Sequence, residues 1–245
     1  MTEAIRTTIA FAPTVALGVG TFFSRPIWDY LFQNSGKKSI PVSENLKTFV
    51  HEQCKAIGIE NPEGINIFIN DACGGPRIIG SDIFITNYEK GQYLKALDPK
   101  TDKQEASRIL NNLKAAFQHE ANHLKNKDFL RLLCASVLIP LTTNTVFTYL
   151  TQNSALNKNT PIAIISGCTL GLINFILLMY YSRHFEQQAD NEIQDNKEIL
   201  EGAINECKNY LSKDAEYNLF SNHPQAAIRI KKIQERIAAI GFKSH

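Results

Sequence analysis

The chain lacks a surplus of either charge. Lys and Arg number 26 against 24 Asp and Glu, a net charge of +2 over 245 residues, and no basic run exceeds the pair Lys37-Lys38. A protein that grips phosphate backbones needs a concentrated cationic face, so nucleic acid is excluded as a partner. Cysteines are few and badly placed for pairing. Cys54, Cys73, Cys134, Cys168 and Cys207 are odd in number and far apart, with no zinc-knuckle or C-x-x-C spacing. Reduced thiols in a cytosol-facing protein account for them most simply. No internal repeat and no low-complexity tract interrupts a chain long enough to bury a sizeable core.

Charge is missing altogether from two long stretches, Leu132 to Leu150 and Pro161 to Ser182. At 1.5 Å per helical residue each is long enough to cross a hydrocarbon core of about 30 Å. The first is the weaker, since it carries Pro140 and Thr142-Thr143-Asn144-Thr145. A pair of buried core helices is the bland alternative; the lack of a polar face over most of each run favours spanning. A further uncharged segment, Thr7 to Ser24, is short and rich in Gly, Thr and Ala. It can be a signal peptide, an uncleaved anchor or an interfacial helix, and the absence of a clear small-x-small cleavage site favours the anchor.

Between these landmarks the pattern predicts a small soluble unit. Ser43 is placed to cap a helix whose apolar stripe is Leu46, Phe49, Val50 and Cys54, ended by Gly58. Ile65 to Asn70 alternates like a half-buried strand, and Arg77 to Thr86 reads as one or two more after the turn chemistry of Asp71 to Pro76. The expected sheet is small and antiparallel. Asn87 to Asp102 reads as polar and turn-rich, and a long helix without Gly or Pro follows through Asp128.

That helix carries His119-Glu120-x-x-His123. Residues four apart share a helix face, so two imidazoles can hold one ion while Glu120 reaches a water beside it. The same letters can also be the solvated face of an amphipathic helix, and a third ligand decides between the two. Beyond the second uncharged run, Glu186 and Asp190 again lie four apart. That spacing lets one carboxylate meet a metal and the other hydrogen-bond a ligand imidazole. Two crossings between His123 and Glu186 return the chain to the side it left, which allows one site at the base of a hairpin.

Three motifs in order, His119-Glu120-x-x-His123-x-Lys125-Asn126-x-Asp128, Ser182-Arg183-x-x-Glu186-x-x-Ala189-Asp190 and His223-Pro224-x-x-x-x-Arg229-Ile230, resemble the HtpX-like and CAAX-prenyl-protease-like membrane zinc metallopeptidases. The resemblance implies a mainly α, zincin-like core with a small antiparallel sheet and a transmembrane hairpin inserted between the two ligand-bearing helices. It implies one zinc per chain on His119, His123 and Glu186, with Glu120 as general base and then proton donor to the leaving amine. Asp190 is expected to orient a ligand imidazole, His223 to help stabilise the oxyanion and Arg229 to support that wall. The strand near Arg77 to Thr86 occupies the place where this family offers an edge to an extended peptide. On this reading residues 1–40 are an anchor or interfacial segment with its linker, and 41–245 a metallopeptidase domain interrupted by a hairpin at 130–182.

The chain departs from the HtpX pattern in having at most one weak N-terminal span, and it is too short for a CAAX-type chamber. Lys125, Lys127, Arg131 and Arg183 flank the hairpin on the catalytic side against Lys158 in the loop, which places the catalytic domain in the cytoplasm. The polarity of Gln118, Asn122, Lys125, Asn126 and Lys127 argues for a site just above the membrane surface. The expected function is a membrane-anchored zinc endopeptidase acting on protein or peptide substrates at the cytoplasmic face, in contact with membrane lipid, with a role in membrane protein quality control. A catalytically inactive scaffold that keeps the fold is the alternative. The sequence leaves substrate, oligomeric state and any latency mechanism open.

Overall fold

The computed structural model describes residues 2–22, 40–71, 75–79, 81–151, 159–211 and 226–243. In chain order these give α1 (Thr2–Phe22), β1 (Ile40–Pro41), α2 (Glu44–Ala56), a 3-10 turn at Pro62–Gly64, β2 (Ile67–Ile69), β3 (Arg77–Ile79) and β4 (Asp82–Ile85). Six helices follow among the described residues: α3 (Asn87–Leu97), α4 (Lys103–Lys125), α5 (Asp128–Thr151), α6 (Thr160–Asn191), α7 (Lys197–Leu211) and α8 (Ala226–Lys243).

The sheet corrects one expectation: it is mixed. Its order is β1-β2-β4-β3. β1 runs antiparallel to β2 and β3 antiparallel to β4, but the central pair β2 and β4 is parallel, with Ile67 opposite Ile83 and Ile69 opposite Ile85. The chain leaves β2, passes the central slot to the far edge, and only then turns back as the β3–β4 hairpin. Alternation in a sequence tells which face a residue takes and says nothing of which strand lies beside it. β3 is thereby left as an edge strand, packed next to α4.

A second difference is α3, formed where turns were expected. Its start is a capping box: the Thr86 backbone N–H donates to Glu89 Oε2 at 2.7 Å, and the Tyr88 N–H donates to Thr86 Oγ1 at 3.2 Å. The Thr-x-x-Glu signature was legible at positions 86–89. Ser43 does occupy the N-cap of α2, but its hydroxyl makes no capping bond.

The long helix α4 is buried on two opposite sides. One side, with Ile109, Leu113, Phe117 and Ala121, joins a core made with α2, α3 and the sheet, including Leu46, Val50 and Ile83. The other side, with Ala115, packs on Leu200, Ala203 and Ile204 of α7 and, through them, Ile233 of α8. Gly202 makes that second contact possible, since a Cβ there would lie 2.5 Å from the Asn111 carbonyl oxygen. Sandwiched this way, α4 is a rigid mount for the groups it carries.

Helices α5 and α6 are long and apolar enough to cross a membrane. Their outer faces present large apolar side chains to the surroundings, with Leu150 75% and Ile165 66% exposed. α1 lies along both of them. Its seat is polar and close-fitting: Asn174 Nδ2 donates to the Ala10 carbonyl at 3.0 Å, and Thr143 Oγ1 donates to Asn174 Oδ1 at 2.7 Å. Gly167 and Gly171 let the backbones approach, a Cβ at Gly167 falling 3.0 Å from the Arg6 carbonyl oxygen. Arg6, fully buried, donates to Thr148 Oγ1 at 2.6 Å and lies over the Phe147 ring.

Candidate metal centre

Asp102 starts α4 by accepting the N–H groups of Gln104 and Glu105 at 2.9 and 3.2 Å. The helix ends at Asn126 and Lys127, the latter at φ +55°. His119, Glu120 and His123 therefore lie in its last two turns. α6 runs 32 residues, roughly 48 Å at 1.5 Å each, so its final turns project well past the apolar run. Those turns carry Glu186 and Asp190 alongside the end of α4.

Three polar cross-links fix how the two helices meet, and a fourth ties α4 to α2. Asn122 Nδ2 donates to the Ala189 carbonyl at 3.0 Å, and Asn126 Nδ2 to Glu192 Oε2 at 3.1 Å. Gln118 Oε1 accepts the Gln194 N–H at 3.0 Å, while its Nε2 donates to Gln53 Oε1 on α2 at 3.2 Å. Gln118 and Asn122 are fully buried. Their polarity joins helices and does not face solvent, a role the sequence alone did not reveal.

In that register His119, His123 and Glu186 converge. The two Nε2 atoms are 3.3 Å apart; His119 Nε2 is 3.3 Å from Glu186 Oε2 and His123 Nε2 is 3.4 Å from Glu186 Oε1. Two donors each about 2.05 Å from a tetrahedral centre are separated by about 3.3–3.4 Å. The tautomers agree with a cation there. His119 Nδ1 donates to Asp190 Oδ1 at 2.8 Å and His123 Nδ1 to Asp128 Oδ2 at 2.9 Å, which leaves both Nε2 atoms facing the carboxylate, where a cation can take the place of their protons. Three electron-pair donors facing one point fit a divalent metal, and two imidazoles with one carboxylate are a donor set that suits zinc. Glu120, half-buried, follows His119 on the same helix.

The charges around the cluster are strongly coupled. Burial alone pushes the His119 imidazole down, but the Asp190 and Glu186 carboxylates outweigh it and hold the metal-free pKa at about 9. His123 behaves alike, raised by Asp128 and Glu186 against its burial. Burial pushes Asp190 up, yet His119 and Arg229 bring it down to about 2.

Arg229 donates from Nε to Asp190 Oδ2 at 2.6 Å and from Nη2 to Asp190 Oδ1 at 2.8 Å. It is committed to the carboxylate that holds His119. Arg236, about two turns further along α8, donates to the Asp190 and Ile193 carbonyls, both at 2.7 Å, closing the C-terminal end of α6. His223 lies outside the described residues. Two groups here had no role from the sequence: Asp128, which was expected on the same unbroken helix as His123 but follows a break at Lys127, and Arg236.

Residues 48–237 match the family model of Peptidase family M48. A curated relative, the "Protease HtpX homolog" of Helicobacter pylori (strain Shi470), is 26% identical over 152 residues, covering 52% of this chain and 49% of that protein. The chain thus spans about half the length of that relative. No solved structure matches it.

Proposed function

This chain belongs to Peptidase family M48, a family of metal-dependent peptidases, and on that premise we propose that it is a membrane-anchored zinc endopeptidase cleaving protein substrates at the cytoplasmic face of a membrane. The observation that carries the zinc reading is the meeting of His119 Nε2, His123 Nε2 and the Glu186 carboxylate at 3.3–3.4 Å, with both outward-facing nitrogens held by carboxylates. The role proposed for the chain is in membrane protein quality control, a reading supported by the position of the metal cluster beside the apolar helices.

The residues divide the work. His119, His123 and Glu186 would hold the zinc, which when bound would supply Lewis-acid polarisation of a scissile carbonyl and acidify a water. Glu120 would serve as general base towards the attacking water and then as proton donor to the leaving amine. Asp190, itself pinned by Arg229, keeps His119 in one tautomer and one orientation. His223 is the expected donor to the developing oxyanion. The free edge of β3, packed next to α4, would take an extended peptide by main-chain hydrogen bonds. That mode reads backbone more than side chains and suits loosely folded substrates.

α5 and α6 serve as the membrane hairpin, and α1 as a third helix of the same bundle. Apolar side chains on the outer faces would meet lipid, while the polar contacts of Asn174, Thr143 and Arg6 are kept between helices. α1 runs from the loop end of the hairpin towards the catalytic end. Its end at Phe22 then points to the side of Lys125, Lys127 and Arg131, in keeping with a cytoplasmic catalytic domain.

The test is zinc content and casein cleavage of detergent-purified wild type, Glu120→Gln and Glu186→Ala. The expected result is about one zinc per chain in wild type and Glu120→Gln, little in Glu186→Ala, and cleavage by wild type alone. Zinc without cleavage would favour the inactive scaffold. A wild-type protein without zinc would overturn the proposal.

A further inference from the structure

Asp128 and Arg131 sit where the metal-bearing helix passes into the apolar hairpin, and the proposed reaction gives them no part. Asp128 is 5% exposed, and a carboxylate that deep needs partners for both oxygens. It has them: Oδ2 accepts His123 Nδ1–H at 2.9 Å, and Oδ1 accepts Arg131 Nη1 at 3.0 Å. The same Arg131 Nη1 also donates to Gln188 Oε1 on α6 at 3.1 Å, and its guanidinium lies 4.4 Å from the centre of the Phe185 ring. Phe185 and Gln188 bracket Glu186. One arginine therefore touches the carboxylate behind His123 and the helix segment that presents Glu186.

The backbone is built for this contact. A plain continuation of α4 would rotate Asp128 away from His123, five residues before it. Lys127 adopts φ +55°, a conformation that costs a side-chain-bearing residue about 1 kcal/mol. That single reversed residue restarts the helix at Asp128 and brings its carboxylate back under the imidazole.

We propose that Asp128 and Arg131 form a positioning pair that orients His123 and sets the distance of Glu186 from it, so that seating of the apolar hairpin sets the geometry of the metal site. Asp128 does for His123 what Asp190 does for His119. Arg131, in the first turn of α5, ties that orientation to α6 across the mouth of the hairpin. The proposal rests on the metal-site reading under Proposed function, and it assigns no contact with substrate to either residue.

The experiment is a chelator-competition measurement of zinc affinity on the full chain in detergent, for wild type, Asp128→Asn, Arg131→Gln and the double variant. Visible spectra of the cobalt-loaded proteins are recorded beside it. Removing a carboxylate behind a ligand imidazole is expected to weaken zinc about 10–100-fold. Arg131→Gln should weaken it less, and the double variant by less than the product of the two single effects, because the two share the Asp128–Arg131 contact. The cobalt bands should shift in each variant while far-UV circular dichroism of the metal-free proteins stays near wild type and their melting temperature falls less than that of Asp190→Asn, since the Arg131 side chain is 42% exposed. Wild-type affinity and an unshifted cobalt spectrum in Asp128→Asn would overturn the proposal while leaving the metal site standing. Failure of the wild type to bind zinc would instead overturn the reading beneath it. If Asp128→Asn melts early, Asp128→Glu is the second variant: restored cobalt bands support positioning, and restored stability without them refutes it.

Discussion

Substituting Asp190 by Asn tests how the two helices of the site are held, independently of any metal. Asp190 is 5% exposed and accepts three hydrogen bonds from charged or chargeable groups, one from His119 and two from Arg229, at 2.6–2.8 Å. The substitution keeps the shape and removes the charge. It leaves the guanidinium of Arg229, whose side chain is 15% exposed, against a neutral amide. Breaking a buried ion pair by removing one partner costs about 3–5 kcal/mol. For a chain of this size each kcal/mol lowers the melting temperature by about 2–4 °C, so a fall of roughly 6–20 °C is expected. Differential scanning fluorimetry of the metal-free protein in detergent reads it directly. The companion Arg229→Gln should cost a similar amount, and the double variant less than the sum, since neither charge then remains buried. The pH dependence has a fixed sign. Asp190 titrates at 3.8 when unperturbed and at about 2 in the folded chain. Its contribution is therefore complete above about pH 4–5 and is lost as pH falls towards 2. A fall of less than about 3 °C for Asp190→Asn, or single effects that simply add, would refute the reasoning.

Three further outcomes follow from other parts of the molecule. With the metal-free His119 pKa at about 9, zinc binding at pH 7.5 must displace at least one proton per chain; calorimetric titration in buffers of different ionisation enthalpy reads this as a slope, and a flat plot would contradict it. Gly202→Ala puts a methyl group 2.5 Å from the Asn111 carbonyl oxygen, so α7 must shift off α4 at a cost of about 1–3 kcal/mol, visible as a lowered melting temperature. Gly167→Val presses against the Arg6 backbone and should unseat α1 from the hairpin, so that protease added from the side of the N-terminus cuts within residues 2–22; protection equal to wild type would speak against the packing of α1.

The sequence by itself determined which residues are candidates for the chemistry. Helical periodicity places residues four apart on one face, so spacing alone pairs His119 with His123 and Glu186 with Asp190. Length and missing charge likewise marked the apolar runs that became α5 and α6. Local signals also marked α2, β2 and the β3–β4 region, because these depend on neighbours in the chain. What the sequence withheld was relative placement. The parallel pairing of β2 with β4 depends on the route taken between them, which alternation does not encode. The two buried sides of α4, and the glycine at 202 that lets α7 approach, arise only when separate helices meet. Asp128 under His123 depends on the single reversed residue at Lys127, and Arg229 under Asp190 on a helix 39 residues further along the chain. The polarity of Gln118 and Asn122 argues in the sequence only for a site outside the bilayer, and tertiary packing makes them buried cross-links. A sequence names the groups able to hold a metal; the distance between those groups is set by helix packing, and helix packing is a property of the whole fold.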